Sequence, residues 1–94
     1  MIIKDGAQCI VNVPQELTIR TVEAFHDKVK NAFVECEGAL VNLIGVVEID
    51  TAGFQMLVAL KKEILQQKKT FSIVGMSTEV DEIISLYGAE KFFQ

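Results

Sequence analysis

The sequence predicts an α/β fold, with a mixed β-sheet of about four strands and helices packed mainly on one face. Three observations carry this. Asp5-Gly6 stands between the extended runs Ile2-Ile3-Lys4 and Gln8-Cys9-Ile10-Val11-Asn12-Val13, a strong hairpin signal. Beyond that hairpin, segments with apolar residues three and four apart alternate with short extended runs rich in apolar residues. The chain has 94 residues, half of them hydrophobic and 23% charged, enough for one core and unlike a disordered segment. The order reads ββαβαβα, and strand–helix–strand alternation implies parallel pairing through right-handed crossovers. One domain spanning residues 1–94 is expected, with no repeat, linker or low-complexity segment.

Each element follows from its residues. Met1-Ile2-Ile3-Lys4 opens the first strand, and Pro14 ends the second because it has no backbone donor. A helix begins at Thr18 or Thr21 and runs to about Val34, with Val22, Phe25, Val29, Ala32 and Phe33 as its apolar stripe. Gly38 reads as its stop. Ala39-Leu40-Val41-Asn42-Leu43-Ile44 is a nearly all-apolar run and reads as a strand buried on one or both faces. A second helix extends from Thr51 to about Gln67, with Lys68-Lys69 at its negative end. Thr70-Phe71-Ser72-Ile73-Val74 alternates as the last strand. Ser77 caps a third helix that carries Glu79, Asp81 and Glu82 in its first turn and is bound to the core by Val80, Ile83, Ile84 and Tyr87. Gly88 stops that helix, and Phe92-Phe93 form a final apolar plug.

Composition removes several classes of function. Thirteen acids against nine Lys and Arg give a net charge of -4, and the basic pairs Lys61-Lys62 and Lys68-Lys69 are too few for a nucleic-acid footprint. No apolar run approaches the ~20 residues that span a bilayer. The first residues show no signal-peptide pattern, so a cytoplasmic protein without direct membrane insertion is expected. Cys9 lies in an apolar run and reads as core. Cys36, between Glu35 and Glu37, reads as an unreactive thiol. Without CxxC spacing or a leader, neither a disulfide nor a metal site is expected. His26, the single histidine, reads as part of a solvated helix face. Glu48 and Asp50 are close in sequence, but without a histidine, metal ligands or a Gly-rich loop they do not compose an active site. No cofactor and no catalysis are expected.

The stretch that asks for a function is Glu48-Ile49-Asp50-Thr51-Ala52-Gly53-Phe54. It delivers one hydroxyl, Thr51, to a helix N-terminus. Asp50 and Thr51 are both good caps, since their side-chain oxygens accept from the unpaired amides of the first turn. Gly53 leaves that turn open to a partner, and a phosphate on Thr51 would meet free amides and the positive end of the helix dipole. Two readings stand together: a cap and nothing more, or a site of modification and contact. Along the same helix Phe54, Leu57, Val58, Lys61 and Ile64-Leu65 are read as the buried stripe. Met56, Leu60 and Glu63 then fall on the other side, where Met56 and Leu60 form a small apolar patch for a partner, unless the helix is buried on both sides.

Three motifs in order give the chain a resemblance. Asp50-Thr51-Ala52-Gly53-Phe54 resembles the Asp-Ser-Ser/Thr-Gly-Leu signature of the STAS family, the domain of bacterial anti-sigma factor antagonists and of the cytoplasmic tails of sulfate transporters. Pro14-Gln15-Glu16-Leu17-Thr18 is similar to that family's Gly-Glu-Leu-Asp turn. Phe71 through Ser77, followed by Val80 and Leu86-Tyr87-Gly88, is similar to its closing strand and helix. The resemblance implies partner switching. An anti-sigma factor that is also a serine kinase phosphorylates the first hydroxyl, here Thr51; the unphosphorylated form binds that kinase and releases sigma factor, and a phosphatase restores it. It also implies a partner surface drawn from Asp50, Thr51, Ala52, Gly53, Glu16 and Thr18, to which the helix pattern adds Met56 and Leu60. Here Thr51 replaces the common serine and Ala52 replaces a second hydroxyl. Similar variants occur in STAS proteins of chemotaxis systems and in phospholipid-transporting ABC complexes, where this region contacts the ATPase subunit. The alternative reading is a constitutive subunit of one of these.

Overall fold

The computed structural model describes residues 2–93; Met1, read above with the first strand, lies outside them. The hairpin forms as expected, with β1 (Ile2–Asp5) antiparallel to β2 (Gln8–Asn12) and Gly6 in the left-handed conformation at the turn. β4 (Gly38–Leu43) pairs parallel to β2, and β6 (Thr70–Met76) parallel to β4, giving a mixed four-stranded sheet ordered β1-β2-β4-β6. α1 (Val22–Ala32) and α2 (Thr51–Gln66) are the two crossovers, and α3 (Thr78–Leu86) follows β6. Helix residues Phe25, Val29, Leu57, Leu60, Ile64, Val80 and Ile84 share one core with Cys9, Val11, Ala39, Val41 and Leu43 of the strands. Ile3, Ser72 and Val74 are exposed. Strand side chains alternate between faces, so the helices cover one face of the sheet and the other stays open.

A further pair of strands has no clear periodic signal in the sequence. β3 (Glu16–Leu17) and β5 (Glu48–Ile49) pair in parallel as a separate two-stranded sheet, and the Gln15 carbonyl also accepts from the Val47 and Glu48 amides. This clasp holds the loop before α1 against the loop before α2, and both candidate motifs hang from it.

Four local expectations are corrected. The first helix ends at Ala32 and continues as a 3-10 turn over Phe33–Glu35, so Gly38 is no helix stop: it opens β4, where a Cβ would collide with the side chains of Thr70 and Gln8. Cys36 is buried despite its acidic neighbours, and it is joined to Cys9 in a disulfide with Cα atoms 5.8 Å apart. Nothing in the spacing announces this pair: β2–β4 pairing sets Cys9 opposite Ala39, and the residues just before β4 then bring Cys36, 27 positions on, up to Cys9. His26 is half-buried between α1 and α2, with Nε2 3.1 Å from both carboxylate oxygens of Glu63. Tyr87 belongs less to the core than its place in the α3 stripe suggests, being 47% exposed, and its ring stacks on Phe54 at 4.7 Å. The C-terminal plug forms: Phe93 is buried edge-on to Phe54 and Phe92, and the Lys61 ammonium lies 4.8 Å from the Phe92 ring centroid.

Candidate functional site

Asp50 caps α2, in extended backbone conformation just ahead of Thr51. Its two oxygens do different work. Oδ1 accepts from the Gly53 amide at 2.9 Å, within the first turn. Oδ2 accepts from the Ile19 amide at 3.0 Å, across from the loop before α1. One carboxylate therefore starts the helix and fastens it to its neighbour. Thr51 does not cap. Its hydroxyl faces outward and shares a hydrogen bond with the Tyr87 hydroxyl at 2.6 Å.

The bonds from Ile19 and then Gly53 hold the Asp50 carboxyl below its ordinary value of 3.8, because backbone donors favour the ionised form. A depressed folded-state value means the contribution to stability is complete above about 3.8 and is lost as pH falls through the lowered value. Asparagine caps as well as aspartate when only one bond is needed. Here its single oxygen satisfies one amide and its NH2 opposes the other. Asp50→Asn is expected to lower the melting temperature by several degrees at neutral pH, with a gap to wild type that closes as the pH drops well below 3.8. Melts across that range check this; a gap that stays constant would show that the charge is immaterial.

Glu16 and Thr18 shape the site from behind. Thr18 is only 4% exposed; its hydroxyl donates to Glu16 Oε2 at 2.6 Å and accepts from the Arg20 amide at 3.3 Å. The same Glu16 oxygen takes Arg20 Nε at 3.0 Å, and the Arg20 guanidinium reaches Glu48 at 3.6 Å. This network holds the loop in place, so Thr18 offers no surface to a partner. Gly53 is likewise buried: a Cβ there would overlap the Leu17 carbonyl oxygen and come within 2.9 Å of Ile49 Cγ1. Its missing side chain admits the chain's own β3, and no opening for a partner results.

The patch expected at Met56 and Leu60 does not exist. Leu60 is 1% exposed, in the stripe Gly53, Leu57, Leu60, Ile64, and Met56 is partly buried against the core. Leu65, assigned to the buried side, is half exposed. The helix is apolar almost all round, so spacing alone does not choose its inner face.

In place of that patch, large apolar residues lie exposed at or next to the hydrogen-bond partners of Asp50 and Thr51. Ile19 is 71% exposed next to the Asp50 carboxylate, and Leu86 is 76% exposed next to Tyr87. Leu86 also lines a shallow groove between β5 and α3 with Val47, Ile49 and Ile83, edged by Glu48, Glu79 and Glu82. Ile19 carried a weak signal, a lone apolar residue in the polar turn Thr18-Ile19-Arg20-Thr21. Leu86 and Tyr87 carried none as site residues, because they reach Thr51 only through the packing of α3. Among the described residues, no group of three His, Cys, Asp or Glu is placed to hold a metal ion, and no helix is long and apolar enough to cross a membrane.

Known proteins match this architecture. The structure is similar to that described as "Structure of the Anti-Sigma Factor Antagonist SpoIIAA in its Unphosphorylated Form", with a TM-score of 0.80 at 13% identity, covering 100% of this chain and 84% of that one. At that identity the likeness establishes the fold. No curated protein sequence matches. The model of the STAS domain matches residues 1–94. With its signature at the start of α2 and its sheet in the same arrangement, the chain belongs to the STAS domain family.

Proposed function

We propose that this protein is a non-enzymatic regulator of the anti-sigma factor antagonist type, which binds a partner through the surface around Thr51 and is released when Thr51 is phosphorylated. One observation carries the reading: the exposed Thr51 hydroxyl, at the first turn of a helix, bonds the exposed Tyr87, while exposed Ile19 bonds Asp50 through its amide and exposed Leu86 precedes Tyr87 in the chain. Apolar side chains exposed together mark a contact surface. A phosphate at its centre adds about -1.5 to -2 charges, which a partner that had desolvated a neutral threonine would have to bury. The partners this implies are an anti-sigma factor kinase and a phosphatase, acting in the cytoplasm.

A second reading is favoured by a specific contact. The Thr51 hydroxyl is already engaged with Tyr87, as suits a fixed contact in a constitutive assembly with an ABC ATPase or a chemotaxis complex. Phosphopeptide mass spectrometry on the protein from its own cells separates the two, combined with co-purification of Thr51→Ala and Thr51→Glu. Because Asp50 is the cap, Thr51→Ala costs only the exposed hydrogen bond to Tyr87, at most about 1 kcal/mol. Partner switching predicts phosphate on Thr51, with capture of the partner by wild type and Thr51→Ala but not by Thr51→Glu. Full capture by Thr51→Glu and no phosphate on Thr51 would overturn it and leave the constitutive reading.

A further inference from the structure

We propose that Tyr87 is a positioning residue for Thr51: its hydroxyl fixes the Thr51 side chain in one rotamer, and a charge at position 51 releases the Tyr87 ring from Phe54. The proposal rests on Thr51 being the contacted or modified residue, and names how its state reaches the rest of the surface.

Two contacts meet at Tyr87. Its ring stacks on Phe54, with planes inclined by 25°. Its hydroxyl lies 2.6 Å from Thr51 Oγ1, and either oxygen can be the donor. Phe54 also packs edge-on against the buried Phe93, so the ring beneath Tyr87 is itself supported. Gly88, left-handed at the end of α3, ends the helix just past Tyr87. The phenol is thus held from below by stacking and at its tip by Thr51. A threonine hydroxyl otherwise moves among staggered rotamers, and a fixed partner on one side selects one of them.

Phosphorylation changes this arrangement. In transfer from a nucleoside triphosphate, the Oγ1–H bond breaks and its proton leaves to base. A new Oγ1–P bond forms as the bond from the γ-phosphorus to the nucleoside diphosphate oxygen breaks. Oγ1 becomes a bridging ester oxygen with no proton to donate, and the phosphoryl oxygens become the strong acceptors. The phenol at 2.6 Å stands where that group must be accommodated, so the half-exposed Tyr87 leaves its stack to make room. Leu86, the chain neighbour of Tyr87 on the rim of the β5–α3 groove, shifts when Tyr87 leaves. Modification of Thr51 thereby alters the apolar surface as well as its charge.

The chain contains one tyrosine and no tryptophan, so Tyr87 is free of aromatic overlap from its own residue type. The test is NMR on the full chain, following the ring-current shifts of Tyr87 and the χ1 couplings of Thr51. Wild type should show Tyr87 ring protons shifted by Phe54 and Thr51 couplings of a single rotamer. Tyr87→Phe keeps the stack and the melting temperature but should average the Thr51 couplings, a change that a merely structural role would not produce. Thr51→Glu should move the Tyr87 ring protons toward unstacked values. Unchanged Thr51 couplings in Tyr87→Phe, or unchanged Tyr87 shifts in Thr51→Glu, would overturn the proposal. Neither measurement needs a partner or a phosphate, so the absence of phosphorylation in cells would defeat the switching function without touching this result.

Discussion

Gly53→Ala is expected to lose about 3 kcal/mol of stability, the upper end of the usual range for an overpacked site. For a domain of this size that is a fall in melting temperature on the order of 15 °C. The added methyl group has nowhere to go. On one side is the Leu17 carbonyl, which belongs to backbone and cannot swing away as a side chain would. On another is Ile49 Cγ1, held by β3–β5 pairing. Relief requires the start of α2 to retreat from β3, which also stretches the bond from Asp50 to the Ile19 amide. The variant should therefore weaken partner binding along with stability. Gly45→Ala is the control: a Cβ at Gly45 meets nothing within 4 Å, and its melt should match wild type. Similar melts for the two variants would mean that α2 does not sit this close to Leu17.

Leu60→Glu should abolish folding. Removing a buried leucine side chain alone costs roughly 2–5 kcal/mol. An unpaired carboxylate in the same place adds a desolvation penalty of several kcal/mol, and the whole stability of a small domain is about 5–15 kcal/mol. Leu60 is 1% exposed in the core shared by α2 and the sheet. Leu65→Glu, on the half-exposed side of the same helix, is expected to change stability by less than about 0.5 kcal/mol. Circular dichroism of the two variants decides which face of α2 is inside. A folded Leu60→Glu would restore the patch at Met56 and Leu60 as a docking surface.

The sequence by itself determined the four strands of the main sheet, the three helices and their order. Asp5-Gly6, the apolar spacing of Val22, Phe25 and Val29, and the cap at Ser77 are local signals, and each forms the structure it announces. The position of Thr51 at a helix start was equally legible, because a cap followed by helical spacing is read within a few residues. The tertiary structure alone decided the rest, for a common reason: these features are contacts between residues far apart in the chain. Two-residue strands are too short to show a period, so β3 and β5 become strands only by pairing with each other. A helix with apolar residues at 54, 56, 57, 58, 60, 64 and 65 has no single apolar stripe, and the sheet it lies on selected Leu60 over Leu65. Asp50 looked like an ordinary cap until its second oxygen met the Ile19 amide 31 residues away. Tyr87 looked like core until α3 packed beside α2 and set its hydroxyl on Thr51. Local chemistry names the residue that carries a function, and only packing determines what surrounds it.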